Sequence, residues 1–224
     1  MSQQKPASDQ SSQGTLSGAL GTFIRSVMME MEDMLPARVV SYDDTANRAV
    51  LQPLVMMGLE DGTKVSRARV AGVPVFRFGG GGFFIRFPIK PGDFGWLKAN
   101  DRDTSLIFQG GGEDWPNTDR LHSFSDAMFF PDTMRDWVVS GANADALVIQ
   151  SMDGSVCVAL HAGKLTMTAP EMEVNIPETV WNGNLTGQGN MSFTGGTFTH
   201  NGVNVGGNHR HANSGGSGTG GEPI

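Results

Sequence analysis

The sequence predicts a mainly β protein. An N-terminal helix leads into a small OB-fold-like barrel, or a sandwich of the same size, and an intertwined trimeric β-helix or β-prism follows. Three observations predict it. Apolar residues recur at helical spacing only near the start, and short strand-like runs crowd residues 37–108. From Ala146 onward, apolar residues alternate with Thr, Ser and Asn in short pieces broken by Gly or Asn, a degenerate repeat of strands.

Residues 1–14 (MSQQKPASDQSSQG) form a Ser/Gln-rich arm of the kind that stays disordered alone, and they lack the apolar core of a secretory signal. Over residues 15–35, Leu16, Leu20, Phe23, Ile24, Val27, Met28, Met31 and Leu35 make one helical stripe that Pro36 should stop. The stripe either packs on its own domain or docks a neighbour through its adaptable methionines. No run of about 18 apolar residues offers a membrane span.

Residues 36–110 read as the barrel. ARVVSY and RAVLQPLVMM flank the turn-rich DDTAN as a hairpin, and further strands are expected at 63–70, 73–78, 83–87, 93–98 and 104–108. The glycines at 79–82 suit a hairpin turn better than a phosphate loop, which would need a following Lys-Ser/Thr. Residues 111–145 lose the alternation and read as an ordered connector.

Strand centres then fall near 148, 158, 166, 174, 192, 198 and 204, which defines a needle over residues 146–208 and an apex over 209–224. Only eight of the 31 residues in 178–208 are apolar, so one chain buries too little to offset the entropy of ordering itself. Strict alternation specifies a register, which a disordered linker does not need. Three chains sharing one core satisfy both facts.

Charge points the same way. The net charge is −7, made of +1 over residues 1–108 and −8 over 109–224, opposite to what a nucleic-acid-gripping protein carries. From Glu178 to Ile224 only Glu178, Arg210 and Glu222 are charged. Cys157 is the lone cysteine, excluding an intrachain disulfide framework or a cysteine zinc cage.

His209 and His211 flank Arg210 just after the last alternating strand. In extended chain they face one side, and three chains around an axis would bring six imidazole nitrogens together. Six nitrogens close an octahedron, which suits iron(II) or nickel rather than four-coordinate zinc, and leave no open position for catalysis. A cupin reading of H-x-H would want a glutamate a few residues on, and none precedes Glu222. His122 clusters with Asp119, Ser123, Ser125 and Asp126, but local clustering of polar groups is the ordinary chemistry of turns. His161, His200 and Cys157 read as strand residues.

The segments SYDDTANRAVLQPLV, VPVFRF, GGGGFFIRFPIKPGD and RLHSFSDAMFFP, with the closing H-R-H and G-T-G-G-E-P, resemble the central spike proteins of contractile phage tails and related pyocins, the baseplate assembly protein V-like family. The resemblance covers roughly residues 35–224. It implies a non-enzymatic homotrimer at the tail baseplate tip of the virion, assembled in the host cytoplasm. OB domains would form a collar on the baseplate hub, and a needle would pierce the host outer membrane. One iron per trimer would sit at the apex, carried onto His209 and His211. The alternative is a trimeric receptor-binding fibre or tailspike, although such proteins end in a broad head and this chain tapers.

Overall fold

A computed structural model describes residues 14–59, 62–134 and 137–206. The chain divides into two compact units, Met1–Glu171 and Met172–Ile224.

The first unit opens with helix α1 (Leu16–Glu30), whose Thr15 N-cap accepts a hydrogen bond from the Gly18 amide at 3.0 Å. None of its side chains is buried, so its apolar stripe is not packed on its own domain. No described helix is long and apolar enough to cross a membrane. The helix stops well before Pro36, where the sequence had placed its end. Tertiary hydrogen bonds draw residues 32 and 33 out of it: the Glu32 amide donates to the His122 carbonyl at 2.9 Å, and the Asp33 carbonyl accepts from Ala99 at 2.8 Å. Pro36 instead lies inside strand β1 (Met34–Asp43), opposite Trp96.

Four more strands complete the main sheet: β2 (Arg48–Pro53), then Val70–Pro74, Phe94–Arg102 and Leu121–Pro131. Two short hairpins fall between them, Met57–Gly58 (β3) with Lys64–Val65 (β4), and Phe78–Gly80 (β6) with Phe83–Ile85 (β7). That makes the remaining sheet strands β5, β8 and β9 in chain order, and the sheet runs β5-β2-β1-β8-β9. β1 and β2 form the expected hairpin, with Ala37 opposite Pro53 and Asp43 opposite Arg48. The two edge strands then meet: Val75 bridges Phe129 in parallel, and the Phe76 amide donates to the Phe129 carbonyl at 2.8 Å. The result is a nearly closed five-stranded barrel.

Strand alternation fills it. Ala49 and Leu51 point inward from β2, Leu97 and Ala99 from β8, and Phe124, Ala127 and Phe129 from β9. Phe129, Leu51, Leu97 and Val39 are the largest fully buried side chains. Glycine is required at Gly95, because a Cβ built there would fall 2.6 Å from Phe129 Cε2, and closer still to the Phe130 carbonyl. The GGGG run is a hairpin, as expected: Gly79 and Gly80 lie in β6, and Gly81 and Gly82 make the turn at φ 59° and 86°.

Two expectations for this region are corrected. Residues 104–108 are not a strand but the start of helix α2 (Ser105–Gly110), because the Asp103 carboxylate accepts the Ser105 amide and Gly111 at φ 70° closes the far end. Residues 111–145 are not all connector: β9 belongs to the barrel, which therefore extends past residue 110 to Pro131. Its polar residues hid it. Their alternation is interrupted where His122 adopts φ 46° and the register with β8 shifts at Ala99/Asn100.

Beyond the barrel, strands β10 (Leu147–Gln150), β11 (Cys157–Leu160) and β12 (Leu165–Thr168) form an antiparallel sheet at the first three expected centres. Cys157 and Ala159 are buried against one another's side of it. The second unit is sparser. Among its described residues it forms only the two-residue strands Thr199–His200 (β13) and Val203–Asn204 (β14), and the strands expected at 174 and 192 are absent from the single chain.

Candidate functional site

The second unit carries its apolar residues in the open. Met172, Val174, Ile176, Val180, Trp181, Leu185, Met191, Phe193, Phe198, Val203 and Val205 are each at least 40% exposed. Their one ring contact among the described residues is the Phe193–Phe198 stack, with centroids 5.1 Å apart. A soluble chain does not ordinarily leave such a series in water, and unpaired strand edges beside it invite pairing with other chains. The spacing that makes these residues alternate is the same spacing that denies them a core within one copy.

The barrel surface is held by charge. Asp44, in the β1–β2 turn, accepts two bonds from Arg86 (Nε to Oδ1, 2.8 Å; Nη2 to Oδ2, 2.7 Å) and one from Arg77 at 3.1 Å, with the Tyr42 hydroxyl also donating to it. Hydrogen bonding to Arg86 holds the Asp44 carboxyl below the ordinary carboxylate range. This clamp fixes the base of the β6–β7 hairpin, which presents Phe78, Phe83 and Phe84 to solvent.

A second cluster secures the turn from α2 into β9. Asp103, 3% exposed, accepts from the Ser105 amide (2.9 Å), the Thr118 hydroxyl (2.8 Å) and Arg120 Nη2 (3.0 Å). Arg120 also grips Asp126 through Nε at 2.9 Å. The hydroxyl and amide of Ser105, then the Thr118 hydroxyl and the Arg120 charge, depress the Asp103 pKa strongly. A carboxyl whose folded pKa lies below its unfolded value stabilises above the unfolded value and loses that contribution as pH falls toward the folded one. The midpoint of barrel unfolding is therefore expected to hold steady from neutrality to about pH 4 and decline below it. Asp103→Asn should lower the neutral midpoint and flatten the decline, and an unchanged acid limb in thermal scans would refute the assignment.

The polar cluster around His122 is dispersed by these partners. Asp126 is taken by Arg120, Ser123 Oγ accepts the Ser125 amide at 3.3 Å, and His122 Nδ1 lies 3.7 Å from Asp101 rather than beside either serine. His161 sits between Asp145 and Thr166, at 3.6 and 3.5 Å, and His200 contacts Asn201. In the loop before β11, hydrogen bonds from Ser151 and Ser155 draw the Asp153 carboxyl down to about 2. The described residues contain no group of three or more His, Cys, Asp or Glu placed to hold a metal ion. His209 and His211, the metal ligands expected from sequence, lie outside the described residues, as do the apex and the N-terminal arm before Gly14.

Sequence reasoning found the exposed series of the second unit but missed both arginine–aspartate clusters. Their members are 33 and 42 residues apart in one case, and no local pattern announces them.

No curated protein matches the chain. Residues 35–132, the span of the barrel almost to the residue, match the family model described as the phage protein Gp138 N-terminal domain.

Proposed function

We propose that this chain is a trimeric central spike of a contractile phage tail. Its barrels form a collar docked on the baseplate hub, and the chain from Ala146 onward winds with two copies of itself into a needle that pierces the host outer membrane. The observation that carries this reading is the exposure of every large apolar side chain described between Met172 and Val205. Three chains give those side chains a common interior, and pairing between chains removes the strand edges. The virion context is supported by the match of the barrel to a phage protein family.

The mechanics follow from composition. A needle sealed by backbone hydrogen bonds, whose leading part beyond Glu178 carries only Arg210 and Glu222 as charges, has little to desolvate there on entering a bilayer. The work comes from contraction of the tail, so the chain needs no catalytic group. His209 and His211 of three chains would supply six imidazole nitrogens, a donor set that suits iron, and the ion would tie the three ends together.

The test combines solution mass with metal content. Purified chain is expected to sediment at three times its 23.9 kDa mass and to carry about one iron per three chains by elemental analysis, the ratio six nitrogens imply. His209→Ala/His211→Ala should lose the iron and keep the trimer. A single-chain mass would sink the needle, and equal iron in variant and wild type would sink the cap.

A further inference from the structure

The barrel is sealed at one corner, where Val75 and Phe76 meet Phe129. Elsewhere between the same edge strands, a cavity of about 510 Å³ runs along residues 66–71, the approach to β5 and its first turn, and reaches Phe124 and Ser125 of β9. Its lining combines the apolar Met57, Val70 and Phe124 with Arg67, Arg69 and Glu32. Lining charge is thus net positive on a chain whose total is −7. Arg67 is only partly committed: Nη1 pairs with Glu32 at 3.2 Å, while Nε is buried with no hydrogen-bond partner. Glu32 is spoken for as well, since its other oxygen accepts the Phe124 amide.

The same chain displays a complementary shape. The loop between α2 and β9 reads GGGEDWPN, and Trp115 within it is 85% exposed. Asp114 does no more than accept the Trp115 amide at 2.8 Å. Two carboxylates beside a presented tryptophan match a cleft lined by apolar side chains and two arginines. Tryptophan and arginine are also the residues that dominate binding energy at protein interfaces.

We propose that the cleft receives the Glu113-Asp114-Trp115 loop of a second copy of this chain, with Trp115 on the apolar side chains and the carboxylates at Arg67 and Arg69. Loop and cleft are different surfaces, so the contact is heterologous, and a closed ring results when the rotation between copies is one third of a turn. The inference rests on the trimer proposed above and assigns it a second set of contacts, at the collar.

The experiment uses the full chain with Pro116→Cys and Ser125→Cys, both exposed positions, one on the loop and one on the cavity wall. Oxidised double variant should run as linked dimers and trimers on a non-reducing denaturing gel, while each single variant runs as one chain. Adding Arg67→Glu/Arg69→Glu should cut linkage about tenfold or more through like-charge repulsion, and further adding Glu113→Arg/Asp114→Arg should restore it. Trimers by sedimentation that link only within a chain, or not at all, would overturn the docking and leave the needle standing. A single-chain mass before oxidation would overturn both.

Discussion

Replacing Phe193 and Phe198 with serine is expected to dissociate the trimer into single chains. Both rings are more than half exposed in one copy, so a single chain loses little beyond their mutual stack. In the needle proposed above each copy would contribute two rings to the shared interior. Burial stabilises by roughly 1.5–3 kcal/mol per such side chain, and six of them supply on the order of 10 kcal/mol per trimer. A loss of about 10 kcal/mol weakens association by roughly seven orders of magnitude. Sedimentation equilibrium should report one chain mass for the variant. Thermal unfolding of the barrel should barely move, because both substitutions lie in the other compact unit. A variant that keeps the trimer mass would show that these rings are not part of the shared core.

Gly95→Ala should be the most damaging single methyl in the barrel. The added carbon would sit against the Phe129 ring and the Phe130 carbonyl, neither of which is the free end of a flexible chain. Phe129 is fully buried, and its backbone carbonyl receives the amide that seals the barrel. Displacing it strains the core and loosens closure together. Overpacking of this kind costs about 3 kcal/mol, which in a domain of about 100 residues lowers the midpoint by at least 12 °C or so. Gly58→Ala is the control, since a Cβ there meets nothing within 4 Å. Equal midpoints for the two variants would contradict the packing described for β8 and β9.

The sequence made some of this fold legible and concealed the rest for identifiable reasons. The β1–β2 hairpin was readable because DDTAN places turn formers between two alternating runs, and Asp43 indeed accepts the Thr45 and Ala46 amides. The first three strands after Ala146 were readable from period alone. Helix α2 was not: Leu106, Ile107 and Phe108 in a row resemble a buried strand, and what decides for helix is one carboxylate at Asp103 acting on the next turn. Strand β9 was hidden because only Phe124, Ala127 and Phe129 of its first nine residues are clearly inward and apolar, while Asp126 is buried through its arginine partner. Pro36 looked like a stop because it ends helices. It sits equally well in β1, where its carbonyl accepts the Leu54 amide. Of the site, the apolar alternation was visible in the residues themselves. The cleft was not, since Glu32, Met57, Arg67 and Phe124 come from four separate stretches of chain.

All five barrel strands are complete by Pro131. On the ribosome the barrel therefore has every strand it needs while residues 132–224 are still being made, a lead of about 5–20 s at ordinary elongation rates. Each nascent chain can emerge with a finished head and an unfinished tail, and in the trimer proposed above the tail's greasy residues would stay exposed until two siblings arrive. Neighbouring ribosomes on one messenger would supply those siblings at high local concentration.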